Sequence, residues 1–254
     1  FDLVVHLAAF IEAGESMVDP KKYFENNTIN TLKLLSIMLR YNVKNFIFSS
    51  TAAIYGEPVE IPLLENHPEN PTNNYGLSKL MIEHALRAYD HAYGLKYISL
   101  RYFNAAGSDK LGDIGEDHNP ETHLIPLTIK AALGEKSDIK IFGIDYPTKD
   151  GTCIRDYIHV SDLADAHLLA IDYLMKNKKS DVFNLGGGKG YSVREVVDMV
   201  KDVSNREFKV IESKRRLGDP AVLVASSEKI KRILGWNPKY DLRNIIETAW
   251  KWHS

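Results

Sequence analysis

The 254-residue sequence has only one cysteine, Cys153, so no disulfide can form within the chain. It also lacks an excess of either charge, because 32 basic and 34 acidic residues leave a formal net charge of -2. This balance gives no support for a nucleic-acid partner or a membrane-surface partner. No apolar run approaches the roughly 20 residues of a membrane-spanning helix. A single cysteine suits a reducing compartment, and we expect a cytoplasmic location.

Two kinds of ligand-binding motif are also lacking. His6, His159 and His167 do not have the spacing of metal ligands, so we expect no metal site. Three consecutive glycines at 186–188 resemble a phosphate-binding loop, but the Gly-Lys-Ser/Thr that would complete such a loop does not follow them. A turn is the simpler interpretation of these glycines.

The first part of the chain alternates strand patterns with helix patterns. Apolar runs at 1–8, 45–50 and 96–103 predict buried strands. Apolar residues at helical spacing predict helices at about 20–41 and 75–93, and these end at Asn42 and Gly94. Strands that alternate with helices in this way form parallel sheets with crossover connections. The sequence therefore predicts an α/β protein with a parallel sheet.

The pattern beyond Gly107 is less regular, with loops rich in Gly and Asp between short elements. Strands are predicted at 140–142 and 181–185, and helices at 161–175, 192–203, 227–234 and 242–252. We interpret 1–106 as one domain and 107–254 as a smaller, mainly substrate-binding lobe, from which about 152–176 packs back on the first domain.

Tyr75 and Lys79 lie four residues apart, a spacing that places both side chains on one face of a helix. A free tyrosine has a pKa of about 10 and is a weak base at neutral pH. A nearby lysine cation is expected to lower the pKa of the tyrosine by favouring the phenolate. The tyrosine can then accept a proton from a substrate hydroxyl as hydride leaves the same carbon. An ordinary solvated pair at a helix start is the alternative interpretation.

The surroundings of this pair favour the catalytic interpretation. The preceding strand ends in Ser49, Ser50 and Thr51, and the carboxyl ends of parallel strands face the ligand crevice. A hydroxyl there can hydrogen-bond the same substrate oxygen as Tyr75. The residues thus indicate a site that moves a proton at a substrate hydroxyl.

Several segments now resemble a known family. Ser-Ser-Thr-Ala-Ala-Ile-Tyr-Gly at 49–56, the pair Tyr75 and Lys79, and Arg-Tyr-Phe-Asn at 101–104 are similar to the extended short-chain dehydrogenase/reductase family. The runs at 145–152, 155–160 and 215–220 narrow the resemblance to its UDP-glucose 4-epimerases. The resemblance covers essentially the whole chain, and it implies a Rossmann-type, doubly wound parallel sheet with a smaller C-terminal substrate-binding lobe.

The resemblance implies a role for each matching residue. Tyr75 would be the acid/base catalyst, Lys79 would modulate it and bind the nicotinamide ribose, and Thr51 would assist proton transfer. The implied NAD contacts are Leu7, Ala8, Ala9, Asn26, Thr51, Tyr75, Lys79 and Phe103. The implied UDP-sugar contacts are Asn104, His123, Leu124, Phe142, Arg155, Arg216 and Asp219. Arginine suits this task because its planar fork matches phosphate oxygens.

The activity that the resemblance implies is interconversion of UDP-glucose and UDP-galactose. An isomerase of this kind serves galactose metabolism and works by NAD-dependent oxidation and re-reduction at sugar C4. A homodimer is implied by the family alone. Leu223 lies where family members adjust their acceptance of N-acetylated sugars, so UDP-N-acetylglucosamine stays open as a substrate.

The family's cofactor site should begin with a strand, a glycine-rich turn and a helix whose N-terminus holds the pyrophosphate. This pattern does not precede Phe1 and does not occur later in the sequence. We therefore expect the N-terminal strands of the sheet, about two βα units, to be missing, and NAD binding by this chain to be weak.

Two alternatives remain at this point. A 4,6-dehydratase of the same superfamily typically has Asp-Glu after the threonine, whereas Ala52 and Ala53 stand there and cannot move a proton. A UDP-glucuronate decarboxylase is less well excluded. The alternative that is not an enzyme is a sugar-nucleotide-binding protein without a working cofactor site. The presence of Thr51, Tyr75 and Lys79 speaks against it.

Overall fold

The computed structural model describes residues 1–216 and 219–254. The strands are β1 Val4–His6, β2 Asn45–Thr51, β3 Lys96–Tyr102, β4 Asn104–Ala106, β5 Ile139–Phe142, β6 Ile154–His159, β7 Asp181–Leu185, β8 Gly190–Ser192, β9 Val210–Ser213 and β10 Val222–Leu223. The helices are α1 Ala13–Val18, α2 Pro20–Tyr23, α3 Asn30–Arg40, α4 Asn74–Tyr93, α5 Leu124–Ala132, α6 Val160–Asn177, α7 Val193–Ser204, α8 Glu228–Leu234 and α9 Leu242–His253.

The chain divides into two compact units. The first contains 1–102, 166–185 and 227–236, and the second contains 103–165, 186–226 and 237–254. Helix α6 contributes its first six residues to the second unit and the rest to the first. The functional division at residue 106 stays a prediction.

The first unit is built on a parallel sheet with the strand order β1-β2-β3-β7. Its strands β2 and β3 are almost wholly buried, as their continuous apolar sequence predicts. A core of aliphatic and aromatic side chains packs α3 and α4 against them, with Leu35, Phe46, Phe48, Ile82 and Leu86 near its centre. The predicted α/β class with a Rossmann-type parallel sheet is confirmed.

Capping residues in the sequence set both ends of helix α4. The Asn73 side chain accepts a hydrogen bond from the Gly76 amide at 2.8 Å and caps the first turn. Gly94 ends the helix in the left-handed conformation at φ 65°, where glycine meets no Cβ penalty. The helix predicted at 75–93 is therefore confirmed to within one residue.

The helix predicted at 20–41 is more complex than its periodicity indicates. It consists of α2, a π-helical stretch at Phe24–Ile29, and α3. Such π-turns occur often at functional sites because they redirect side chains along the helix. Asn42, at φ 57°, follows the end of α3 as predicted. The short helix α1, which precedes them, was not predicted.

The described residues of the second unit form two small sheets, the helices α5, α7 and α9, and the start of α6. Strands β10, β6 and β4 are parallel, β8 joins β6 in the antiparallel direction, and β5 pairs with β9. Helices α5, α7 and α9 enclose a separate core that includes Ile129, Val196, Val200 and Ile246. Strand β6 was missed because Arg155 and the buried Asp156 interrupt the apolar pattern of its sequence Ile-Arg-Asp-Tyr-Ile-His. In the described part of the chain, no helix has the length and apolar character needed to cross a membrane.

Candidate active site

The carboxyl end of β2 positions Thr51 in the first unit. Its side chain is 7% exposed, and its oxygen accepts a hydrogen bond from the Ala53 amide at 3.1 Å. This contact caps the 3-10 helix Ala52–Ile54. The Thr51 hydroxyl also hydrogen-bonds the Tyr75 phenol. With its oxygen occupied by Ala53, the threonine can donate its hydrogen toward Tyr75.

The first turn of α4 brings Tyr75 to Thr51 because of a glycine. A Cβ added at Gly76 would lie 2.5 Å from the Ala53 carbonyl oxygen, closer than real Cβ contacts allow. Only a residue without Cβ therefore lets α4 pack directly on the turn after β2. Asn74 fixes the same turn from another direction by donating to the Ser16 carbonyl at 2.9 Å.

Lys79 lies one helical turn beyond Tyr75 and is 3% exposed. Its ammonium donates to the Ser49 carbonyl at 2.8 Å and lies 5.0 Å from the centre of the Phe48 ring. Burial lowers the pKa of Lys79 to about 8. The lysine is thus anchored to the same strand end that carries Thr51.

The pKa of Tyr75 is shifted in the direction opposite to the one expected. Burial raises this pKa, the hydrogen bond from Thr51 opposes the rise, and the Glu12 carboxylate adds to it. The expected lowering by Lys79 was wrong for this structure because desolvation of the phenol outweighs the favourable contacts.

The predicted cofactor contacts near β1 follow the carboxyl end of that strand. Leu7 and Ala8 are exposed and Ala9 is half-buried. Asn26 lies on the π-helical stretch and donates to the side-chain oxygen of Asn27 at 3.0 Å. Asn26 and Phe10 also line a surface pocket. Phe103 is half-buried and begins the second unit.

Arg155 and Asp219 meet in the second unit. The Arg155 guanidinium donates to the carbonyls of Ile154 and Pro220 at 2.9 and 2.8 Å, and it lies 3.4 Å from the Asp219 carboxylate. Leu223 is opposite Arg155 in the pairing of β10 with β6. The structure therefore brings these three residues together at one end of a small sheet.

Arg216 and Phe142 form a second contact in this unit. The Arg216 guanidinium lies over the Phe142 ring at 4.1 Å from its centre, and the arginine is exposed. Leu217 and Gly218, which belong to the same motif, lie outside the described residues. The side-chain amide nitrogen of Asn104 donates to the Asp156 carbonyl at 2.9 Å, so one of its hydrogens is used in a contact within the protein.

His123 and Leu124 begin α5, but the His123 ring turns to two carboxylates. Its Nδ1 lies 2.7 Å from Glu116 and 2.9 Å from Glu121. Hydrogen bonding to Glu116, with smaller contributions from Glu121, raises the pKa of His123 to about 9. Leu124, the first residue of α5, is half-buried.

Comparison with known families adds to this geometry. The family described as NAD dependent epimerase/dehydratase matches residues 1–186. The chain belongs to this family. A UDP-glucose 4-epimerase of Halalkalibacterium halodurans is 54% identical over 253 residues, which are 99% of this chain and 76% of that protein.

Solved structures of family members have the same fold. A UDP-glucose 4-epimerase from Brucella ovis in complex with NAD superposes with a TM-score of 0.95 at 46% identity, covering 98% of this chain and 77% of that one. A UDP-Glc/GlcNAc 4-epimerase from Campylobacter jejuni gives a TM-score of 0.84 at 48% identity, covering 99% of this chain and 77% of that one.

The first unit fits the nicotinamide-ribose end of the family's cofactor. The buried ammonium of Lys79 has three hydrogens and donates one of them to Ser49, so the others can reach ribose hydroxyls. A buried cation with donors to spare is the observation that supports this fit.

Asn27 is a residue of the site region that the sequence analysis missed. Its amide oxygen accepts from the Phe10 amide, and its amide nitrogen donates to the Phe10 carbonyl, both at 2.9 Å. The same nitrogen reaches Ser78 on α4 at 3.1 Å. Asn27 thereby ties the loop after β1 to the helix that carries Tyr75. A polar Asn-Asn-Thr run inside an apolar helical pattern was the available signal.

Asp156 is a second missed residue and lies in the other unit. Its carboxylate accepts hydrogen bonds from the amides of Gly187, Gly188 and Ala225 at 2.6, 3.1 and 3.0 Å. Burial raises the pKa of Asp156 to about 6 despite these bonds. The triple glycine is thus a turn around a buried carboxylate, which explains its resemblance to a phosphate-binding loop.

Proposed function

We propose that this chain interconverts UDP-glucose and UDP-galactose by NAD-dependent oxidation and re-reduction at C4 of the sugar. The single observation that carries the proposal is the grouping of Thr51, Tyr75 and Lys79 at the end of β2 and the start of α4. This grouping can move a proton at a sugar hydroxyl, and it occurs in a chain that belongs to the epimerase/dehydratase family.

Tyr75 is the proposed acid/base residue. It removes the proton of the sugar 4-hydroxyl as C4 is oxidised, and it returns a proton to the oxygen when C4 is reduced. Bound NAD supplies a reversible hydride acceptor for this chemistry. Thr51 holds the phenol by a hydrogen bond that favours the phenolate, and Lys79 holds the ribose of the cofactor.

The proposed nucleotide contacts hold one end of the substrate while the sugar turns. Arg155 and Arg216 provide cations for the diphosphate, Phe142 offers a flat apolar ring, and Asp219 and Asn104 offer polar atoms. His123 and Leu124 at the start of α5 complete the predicted set. Strong contacts to the nucleotide with few to the sugar permit the 4-keto intermediate to expose its opposite face before reduction.

Dehydration is not supported, because Ala52 and Ala53 occupy the turn next to Thr51 and have no group that can expel a hydroxyl.

We also propose a homodimer in the cytoplasm. The dimer rests on family membership and is checked by light scattering after gel filtration. The location rests on the single cysteine, Cys153, which is a buried free thiol.

The test is a coupled assay of the purified chain with UDP-galactose, in which UDP-glucose is detected by a second enzyme. NAD is added in large excess, because NAD binding by this chain is expected to be weak. We expect Tyr75→Phe to lower kcat by about 10²–10⁴-fold, because the phenol proton is lost while the ring remains. Tyr93→Phe, at the exposed end of α4, is the matched control. Equal turnover by wild type and Tyr75→Phe would exclude the proposed role.

UDP-N-acetylglucosamine is a second candidate substrate, favoured by the position of Leu223 beside Arg155. Leucine is intermediate in size, so we expect measurable but slower turnover of the acetylated sugar. Leu223→Ala should raise the ratio of kcat/KM for UDP-N-acetylglucosamine over UDP-glucose by roughly ten-fold, since it opens space for an acetamido group. Leu223→Tyr should lower the same ratio, and a ratio that neither variant changes would contradict this assignment.

A further inference from the structure

The loop between β4 and α5 gathers two histidines and two glutamates. Glu116, His118, Glu121 and His123 each direct one nitrogen or oxygen atom inward, and these four atoms all lie within 4.8 Å of one another. This group belongs to the second unit, whereas Thr51, Tyr75 and Lys79 belong to the first. None of these four residues is among His6, His159 and His167, whose spacing led to the prediction of no metal site.

We propose that Glu116, His118, Glu121 and His123 form a binding site for one divalent transition-metal ion such as Zn²⁺. The proposal does not rest on Thr51, Tyr75 or Lys79. His123 is the one member of the cluster that also belongs to the proposed UDP-sugar contacts, so the test below uses His118 and Glu121.

The distances suit a tetrahedral ion. The ring nitrogen of His123 is 2.7 Å from Glu116 and 2.9 Å from Glu121, and that of His118 is 2.9 Å from Glu116 and 4.0 Å from Glu121. Bonds of about 2.0–2.2 Å from Zn²⁺ to nitrogen and oxygen place its ligand atoms roughly 3.3 Å apart. Small rotations of the side chains therefore suffice to admit the ion.

The charges also suit a divalent cation. Two carboxylates face two imidazoles, and both imidazoles present the same atom, Nδ1, to the shared centre. A single ion of charge +2 would neutralise both carboxylates while the neutral histidines supply lone pairs. The mixed nitrogen and oxygen donors favour Zn²⁺, Co²⁺ or Ni²⁺ over Ca²⁺ and Mg²⁺, which prefer oxygen donors alone.

The backbone holds two of the ligands in place. The Trp252 indole donates to the Glu116 carbonyl at 2.9 Å. A Cβ at the preceding Gly115 would lie 2.3 Å from the indole, so glycine lets the loop lie flat on Trp252. One oxygen of Glu121 accepts from the amides of Thr122 and His123, each at 2.7 Å. Such second-layer hydrogen bonds orient metal ligands before the ion binds.

The site is accessible as well as ordered. The Glu121 side chain is only 4% exposed, whereas those of His118 and His123 are 46% and 39% exposed. A buried carboxylate beneath two exposed imidazoles gives an ion a path from solvent. Exposure of His118 also means that its replacement should leave the fold intact.

The experiment is a titration of the full chain with Zn²⁺ in competition with a fluorescent chelator, together with the visible spectrum of the Co²⁺ form. We expect one ion per chain, Co²⁺ bands of four-coordinate geometry and a higher thermal midpoint with Zn²⁺. His118→Ala should weaken Zn²⁺ binding at least ten-fold and remove the thermal shift, because it deletes one of four ligands. His91→Ala, at an exposed histidine of α4, is the matched control and should bind as wild type.

Several results would overturn the proposal. They are failure of the wild type to compete with the chelator, equal Zn²⁺ affinity in wild type and His118→Ala, and loss of the Co²⁺ bands in Cys153→Ser, which would place the ion at the thiol. A preference for Ca²⁺ or Mg²⁺ over Zn²⁺ would also contradict it. Circular dichroism of His118→Ala, with Glu121→Gln as a second ligand variant, separates loss of the site from loss of the fold.

Discussion

Lys79 shows at the scale of one residue that a proposed catalytic group can oppose stability. Its ammonium is 3% exposed, and burial lowers its pKa from 10.5 to about 8. A shift of this size corresponds to about 3 kcal/mol against the charged form in the folded state. The hydrogen bond to the Ser49 carbonyl offsets part of this unfavourable energy.

Lys79→Met is therefore expected to raise the free energy of unfolding at pH 7 by about 2 kcal/mol while abolishing activity. The folded protein binds fewer protons at Lys79 than the unfolded chain between pH 8 and 10.5, so the lysine's unfavourable contribution fades as pH rises through that window. Urea unfolding at pH 7 and near pH 10 measures this difference. Lys33→Met, at an exposed lysine of α3, should change stability little at either pH.

The outcome that would contradict this expectation is a Lys79→Met variant that is less stable than wild type at pH 7. It would mean that the contacts of Lys79 with Ser49 and Phe48 outweigh the desolvation of its charge.

At the scale of elements, the approach of α4 to the turn after β2 decides the geometry of the candidate site. The strand ends at Thr51 and the helix begins at Asn74, with a loop of many residues between them. Gly76 permits the contact, since a Cβ there would lie 2.5 Å from the Ala53 carbonyl oxygen. The site therefore depends on a packing contact as much as on its polar residues.

Gly76→Ala should lower kcat by about 10–100-fold, because the first turn of α4 must move away from Ala53 and displace Tyr75 from Thr51. The same change should destabilise the protein by about 1–3 kcal/mol through overpacking, although alanine is the better helix former by about 1 kcal/mol. Steady-state kinetics and urea unfolding measure the two effects.

Gly14→Ala is the matched control for that change. Gly14 lies in α1, and a Cβ added there meets nothing within 4 Å, so this variant should be as stable as wild type or more so. If Gly76→Ala were fully active and equally stable, the close packing of α4 on Ala53 would not matter for the site.

The helices and strands also show which elements the periodicity of apolar residues can predict. Long helices with clear ends, such as α4 between Asn73 and Gly94, were predicted almost to the residue because their caps are local signals. Strands β4, β8, β9 and β10 have two to four residues each, too few for an apolar pattern to stand out. Helix α5 was missed because Pro126 and the preceding polar loop obscured its start.

At the scale of the whole molecule, two buried groups in the second unit respond to pH in opposite directions. Burial lowers the pKa of His159 from 6.5 to about 4, and burial raises the pKa of Asp156 from 3.8 to about 6. His159 is held neutral by the amide of Ser161, which donates to its Nδ1 at 3.0 Å, and by stacking on Tyr240.

Whether each group makes the protein more or less stable as pH rises depends on whether the unfolded or the folded chain binds more protons at that group. The folded chain binds fewer protons at His159 than the unfolded chain between pH 4 and 6.5, so the contribution of His159 to stability rises with pH in that window. The folded chain binds more protons at Asp156 between pH 3.8 and 6, so the contribution of Asp156 falls as pH rises. The two effects largely cancel in the stability of the whole protein.

Replacing His159 alone should expose its own contribution to the pH dependence of stability, which Asp156 otherwise offsets. The free energy of unfolding of wild type minus that of His159→Gln should increase by about 3 kcal/mol from pH 4 to 6.5. Guanidinium unfolding at several pH values in this range measures the difference, with His91→Gln as an exposed control. A difference that stays constant with pH would show that His159 is not held neutral by burial.

The sequence by itself determined the α/β class, the parallel sheet of the first unit and the resemblance to a family, because these depend on local periodicity and on short motifs. Tyr75 and Lys79 could be selected together since four residues are one helical turn. Only the tertiary structure decided that Thr51 hydrogen-bonds Tyr75, that burial raises the pKa of Tyr75, and that Asn27 joins the loop after β1 to α4. The same holds for the cluster of Glu116, His118, Glu121 and His123. Desolvation and contacts between distant segments have no signature in local spacing, because they arise only when the chain is packed.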